Sequence, residues 1–127
     1  LDELGVKTVE QNALANNVSS QVLKSDLFNQ IPKQTFDIIA INPPYYPKQA
    51  RNDLEMAWYC GVNFEYFQAL FSQIKDYMDT SSLVLMVLSD GCDIPKITSI
   101  AKTNGLSFTL FHQQKIWWEN EFIFRIQ

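Results

Sequence analysis

Apolar positions change period along the chain, and each change predicts an element. Ile38 to Ile41 and Leu83 to Leu88 are short, nearly unbroken apolar runs, the pattern of parallel strands buried on both faces. Phe67, Leu70, Phe71, Ile74 and Tyr77 or Met78 follow an i, i+3, i+4, i+7 rule within Val62 to Met78. That spacing predicts an amphipathic helix lying on a sheet. Asp2 to Asn16 reads as another helix, with Val6, Val9 and Ala13 on one face and Asn16-Asn17 as left-handed stop residues. Asp93 is expected to cap a third helix, with Pro95 in its first turn, Gly105 at its end, and Ile94, Ile97, Ile100 and Ala101 facing inward. Gln21 to Ser25 reads as a short strand, Leu27 to Thr35 as a loop broken by Pro32, and Tyr45 to Gly61 as a long connection. Leu106 to Lys115 and Glu121 to Ile126 read as two strands joined near Trp117-Trp118-Glu119-Asn120, with the tryptophans as a hydrophobic plug under the hairpin.

Composition changes this picture little. With 127 residues, 46% hydrophobic and 19% charged, the chain reads as a single domain able to bury a core. No apolar stretch approaches the ~20 residues a membrane span needs, and no basic-then-apolar leader is visible at the start. Cys60 and Cys92 show no C-x-x-C spacing and read as reduced thiols of a cytoplasmic protein. His112, the single histidine, reads as a strand surface residue, and no metal site is expected. The net charge of −4 tilts the reading away from nucleic acid, whose binders carry basic patches. Lys48 and Arg51, the nearest cations to the motif described next, are followed at once by Asp53 and Glu55 and read as a solvated rim.

The chemistry concentrates at Asn42-Pro43-Pro44-Tyr45, directly after the first strand. Ligands of open α/β sheets bind just beyond the carboxyl ends of such strands. Two successive prolines lack backbone N–H groups, and each holds the residue before it extended. The segment therefore offers fixed carbonyl oxygens and few donors, with the Asn42 carboxamide oxygen beside them. Such an acceptor-rich site suits an NH2 group held by both protons. Tyr45 adds a flat apolar wall, which Tyr46 either extends or covers. Met56 to Cys60, with Phe64, Tyr66 and Phe67, are expected to pack the core and anchor the loop.

The Asn-Pro-Pro-Tyr motif after an apolar strand resembles the catalytic motif of class I S-adenosylmethionine-dependent amino-methyltransferases. That group includes the release factor glutamine N5-methyltransferases and the adenine N6- or guanine N2-methyltransferases of nucleic acids. Ser25-Asp26-Leu27 resembles the family's acidic residue at a strand end, which meets the cofactor's adenine. Val9 to Val18 resembles the helix that follows its ribose-binding acid. The resemblance implies an α/β, Rossmann-like class I methyltransferase sheet closed by a C-terminal antiparallel hairpin. The family's first strand and Gly-rich turn have no counterpart among Gly5, Gly61, Gly91 and Gly105. The ribose acid would fall just before Leu1, with Asp2 and Glu3 one or two positions late. The expectation is therefore residues 1–127 as the C-terminal two-thirds of a methyltransferase domain, its N-terminal strands absent, binding the cofactor poorly alone and prone to self-association.

The resemblance also implies roles. Asn42 and Pro43 would be catalytic. Pro44, Tyr45 and Tyr46 would line the acceptor site, and Asp26, Leu27 and Asn42 would hold S-adenosylmethionine. The expected reaction is methyl transfer to a planar amide or amino nitrogen, with a glutamine of a release factor-like protein as first choice. The alternatives are an exocyclic amine of rRNA, tRNA or DNA, or a non-catalytic methyltransferase-like subunit that uses the same surface to bind a partner.

Overall fold

The computed structural model describes residues 3–127, so Asp2, expected to open the first helix, lies outside the described residues. The chain divides into two compact units, one ending at Pro32 and one running from Lys33 to Gln127. The first unit holds helix α1 (Glu3–Ala15). Asn17, at φ 54°, ends it in the left-handed conformation expected of a stop residue, and the Val18 N–H returns to the Ala13 carbonyl at 2.9 Å. The expected strand over Gln21 to Ser25 does not form; the segment is irregular. A strand needs a neighbour to pair with, and no ladder reaches these residues.

The second unit is built on a four-stranded sheet in the order β1-β2-β4-β3. Strand β1 (Ile38–Ile41) runs parallel to β2 (Leu83–Ser89) with Ile41 opposite Met86. Strand β4 (Glu119–Ile126) pairs antiparallel with β2 on one side and with β3 (Phe108–Ile116) on the other. Between β1 and β2 come the short helix α2 (Asp53–Met56), helix α3 (Glu65–Gln73) and a 3-10 turn over Ile74–Tyr77. Helix α4 (Ile94–Thr103) follows β2. The long helix expected over Val62 to Met78 is therefore shorter at its start and tightened at its end. Phe64 sits at φ 61° as the N-cap of α3, and the Glu65 carboxylate accepts from the Asn63 backbone at 2.9 Å and its side chain at 3.1 Å.

The expected core face of that segment is correct. Phe67, Leu70, Phe71, Ile74 and Tyr77 are buried, and Phe71 meets Phe108 of β3 edge-on at 5.8 Å between centroids. Directly paired residues share a sheet face, so Val84, Met86 and Leu88 join Phe108, Phe124 and Ile126 beneath the helices. Helix α4 starts as the sequence predicts: the Asp93 carboxylate accepts from the Lys96 N–H at 3.0 Å. Gly105 follows its C-cap at φ 72°.

Three expectations need correction. The two apolar strands are not buried on both faces: Ile38 is 64% exposed, and Leu83, Leu85 and Val87 are half-buried on the face away from α3. Among the described residues β1 pairs with β2 alone, so its other edge and second face lack the strand neighbours an interior parallel strand has. Met56 and Trp58 are exposed rather than packed, while Cys60, Phe64 and Phe67 are buried as expected. The segment is anchored by backbone instead, the Trp58 carbonyl accepting the Tyr46 N–H at 3.0 Å. Trp117 and Trp118 form no plug: they are 80% and 85% exposed at the tip of the β3–β4 hairpin, where a tight turn carries side chains beyond the sheet.

Candidate functional site

Asn42 to Tyr45 occupy the carboxyl end of β1, as the sequence places them. Asn42 is exposed, Pro43 is buried, and Pro44 and Tyr45 are half-buried. Among the described residues neither the Asn42 carboxamide nor the Pro43 carbonyl takes a hydrogen bond. Both acceptors therefore remain available, which is the condition the sequence argument requires. Neither residue lines the two cavities described below.

β2 extends past the end of β1. With Ile41 opposite Met86, Ser89 lies three residues further on, about 10 Å along the strand direction. It stands beside the motif loop. Burial pushes the Tyr45 phenol above its ordinary pKa, and the Ser89 hydroxyl within its reach partly offsets this. Tyr45 and Tyr46 are tilted against each other at 4.8 Å between ring centroids. Cys92 closes the same corner: its sulfur accepts the Ser89 N–H at 3.2 Å. Burial raises the Cys92 thiol, so it stays protonated at neutral pH and is a poor nucleophile.

This corner is fastened to the hairpin. The Asp90 carboxylate accepts from the Asn120 side chain at 2.8 Å and from its backbone at 3.1 Å. Those two donors hold the carboxyl below its ordinary pKa. Ser89 and Cys92 were not singled out from the sequence. The available signal was position: Ser89 ends the strand adjacent to the motif strand, where the carboxyl-end rule for α/β sheets applies equally.

The loop after the motif is pinned by its backbone. Tyr46 and Tyr59 form a parallel bridge, the Cys60 N–H donates to the Tyr46 carbonyl at 2.9 Å, and the Gly61 N–H donates to the Lys48 carbonyl at 3.1 Å. Beside this bridge lies a cavity of about 480 Å³ that begins at Pro47 and includes Lys48, Arg51 and Tyr59. A second cavity, about 410 Å³, lies at the other end of β2, between Ser82, Gly105 and Arg125.

In the first unit, Ser25-Asp26-Leu27 forms a compact turn with Leu27 at φ 50°. Its neighbouring polar groups are used internally. The Ser25 hydroxyl donates to the Leu27 carbonyl at 2.8 Å and accepts the Gln30 N–H at 3.1 Å. The Asp26 N–H donates to the Gln30 side chain at 2.9 Å. The Asp26 carboxylate and the Leu27 N–H are left without a hydrogen bond among the described residues. One acceptor beside one donor fits the amino and ring-nitrogen edge of an adenine.

Residues 1–60 match the family model of the methyltransferase small domain. A bifunctional methyltransferase of Rickettsia typhi is 33% identical over 81 residues, 62% of this chain and 15% of that protein. A candidate protein N5-glutamine methyltransferase of Methanocaldococcus jannaschii is 40% identical over 47 residues, 37% of this chain and 23% of that protein. The matches thus span less than a quarter of either relative's length.

Two solved structures share the fold. The ribosomal protein L11 methylase of Lactobacillus delbrueckii subsp. bulgaricus superposes with a TM-score of 0.59 at 18% identity, over 97% of this chain and 53% of that one. A methyltransferase of Pyrococcus furiosus superposes with a TM-score of 0.62 at 20% identity, over 98% and 59%. The mixed α/β sheet is thus the fold of these two solved structures.

Proposed function

We propose that the chain carries the acceptor site of an S-adenosylmethionine-dependent N-methyltransferase acting on a planar amide, with a protein glutamine side chain as the acceptor. One observation carries the reading. The Asn42 carboxamide and the Pro43 carbonyl stand free at the carboxyl end of β1, on a backbone the prolines hold stiff. The relative named for glutamine N5 methylation supports the choice of acceptor, as does the net charge of −4.

An amide nitrogen is a poor nucleophile because its lone pair is delocalised; the ~18–20 kcal/mol barrier to peptide-bond rotation measures that resonance. Two acceptors set out of the amide plane favour a more tetrahedral nitrogen and expose its lone pair. Asn42 and Pro43 would accept the two N–H protons in this arrangement. Their hold strengthens as positive charge develops on the nitrogen, so it lowers the barrier more than it tightens binding. Tyr45, held beside Ser89, would stack on the flat face of the amide. The methylated nitrogen is acidic and releases its proton to water, so no strong base is required. Bound S-adenosylmethionine would supply an electrophilic methyl group; in the first unit, Asp26 and the Leu27 N–H are the groups the family resemblance gives to its adenine.

Methyl transfer by the intact protein tests the reading. Radiolabelled S-adenosylmethionine should label a glutamine of a release factor-like protein. Label appearing only in RNA or DNA would overturn the choice of acceptor. No label in either, with no heat of cofactor binding by calorimetry, would leave a binding subunit in place of an enzyme.

A further inference from the structure

The cavity beside the Tyr46–Tyr59 bridge has an uneven charge. Lys48 and Arg51 line it together with one acid, Glu55. That acid is engaged: its carboxylate accepts the Arg51 backbone N–H at 2.8 Å, while its own N–H caps onto Asn52 at 3.0 Å. Neither cation has an ion-pair partner among the described residues. The Lys48 ammonium stands 5.6 Å from the centroid of the Tyr59 ring, a contact that restrains the side chain without neutralising it. A protein with an excess of four acidic residues over basic ones thus gathers two unpaired cations in one recess, next to its acceptor motif.

We propose that this recess is a subsite for a carboxylate side chain of the polypeptide that presents the acceptor amide. The proposal rests on the amide-methyltransferase reading given above. Two cations around a cavity of about 480 Å³ suit a single carboxylate, to which a guanidinium presents two parallel donors. A nucleic-acid strand requires phosphate contacts repeated along its backbone, and Asp53 and Glu55 interrupt any basic stripe here. The chain itself sets the spacing. Lys48 is six residues beyond Asn42, and an extended chain covers at most ~3.3–3.6 Å per residue, or about 20 Å in all. A substrate bound in extended form therefore needs no more than about six positions between the methylated glutamine and its acidic residue.

The backbone ties between Tyr46, Lys48 and the Trp58–Gly61 segment hold the recess at a fixed place relative to the motif. It would thereby set which glutamine enters the site.

Fluorescence anisotropy of the intact protein with labelled decapeptides tests this directly. The parent peptide carries one glutamine and one glutamate four positions apart. One variant replaces the glutamate by alanine, one replaces the glutamine by alanine, and one replaces the glutamate by lysine. Losing the glutamate should weaken binding about fivefold, as expected when a charge pair of about 1 kcal/mol is lost. Lys48→Glu with Arg51→Glu should reverse the preference toward the lysine peptide. Both side chains are exposed and lie outside the core, and circular dichroism checks that the variant is folded.

Equal affinity for the glutamate and alanine peptides would overturn the subsite, as would a glutamate preference that survives the charge reversal. A decanucleotide that outcompetes the glutamate peptide, and loses this advantage in the charge-reversed protein, would overturn the carboxylate in favour of phosphate. The glutamine-to-alanine peptide separates the two proposals. Loss of affinity there, with no effect of the glutamate, retains the amide site and removes the subsite. The opposite pattern retains the subsite and removes the amide site.

Discussion

Ser82→Ala should loosen the frame that holds the motif strand. Ser82 is buried between the turn after α3 and the start of β2. Its hydroxyl donates to the Phe36 carbonyl at 2.7 Å and accepts the Asp79 N–H at 3.0 Å. Next to it, the Phe36 N–H reaches the Tyr77 carbonyl at 3.0 Å, and the Leu83 N–H reaches the Asp37 carbonyl at 2.8 Å. Ser82 thus joins the approach to β1 to the approach to β2. Alanine removes two hydrogen bonds of about 1 kcal/mol each and leaves a carbonyl and an N–H without partners, so a total loss of about 2–3 kcal/mol is expected. Urea denaturation followed by circular dichroism measures it. With a slope of about 2 kcal/mol/M, the midpoint should fall by roughly 1–1.5 M. Ser81→Ala is the control: that hydroxyl donates to the Asp79 carboxylate at 2.6 Å but is exposed, and its loss should cost under about 1 kcal/mol. A Ser82→Ala shift below about 0.25 M, or one no larger than that of Ser81→Ala, would refute the reasoning.

Burial pushes the Tyr66 phenol up to about 12 from its ordinary 10.0. The folded state then keeps its proton where the unfolded chain gives it up, so stability is full below pH 10 and falls as pH rises toward 12. The loss is about 2–3 kcal/mol; alkaline unfolding should show this limb in the parent and lack it in Tyr66→Phe. Phe71→Ala should cost about 3–5 kcal/mol, because Phe71 is fully buried between Phe67 and Phe108; a loss under about 1 kcal/mol by denaturant titration would mean that the helix layer is not packed as described. Trp117 holds a left-handed conformation, φ 59°, at an exposed hairpin tip. Trp117→Asn should raise stability by about 0.5–1 kcal/mol, and a lowered melting temperature would show that the indole contributes contacts the turn does not reveal.

Much of this fold was legible because local signals agreed with tertiary ones. The apolar spacing from Phe67 to Tyr77, the Asp93 cap, the Gly105 stop and the placement of Asn42 after an apolar strand each rest on a few neighbouring residues. What failed depends on partners that sequence does not name. Gln21 to Ser25 has strand-like residues and no ladder to join. Ile38 has the side chain of a buried strand and stands at a sheet edge. Trp117 and Trp118 suggest a core by composition, but the two-residue turn between β3 and β4 carries them outward. Ser89 was missed because a lone serine carries no pattern; its significance comes from strand register. Lys48 and Arg51 read as a rim beside acids; in the structure they line a recess with a single acid, Glu55, whose carboxylate accepts the Arg51 backbone N–H.

Two free oxygens at the end of β1 carry the proposed activity. Steady-state methyl transfer by the intact protein, compared between Asn42 and Asn42→Ala with cofactor binding followed by calorimetry, tests them most directly. Removing one preorganised partner of the transition state typically costs ~2.7–4 kcal/mol, so turnover should fall at least about a hundredfold, far more than cofactor affinity, which Asp26 and the Leu27 N–H would still support. An unchanged rate in Asn42→Ala would contradict the account.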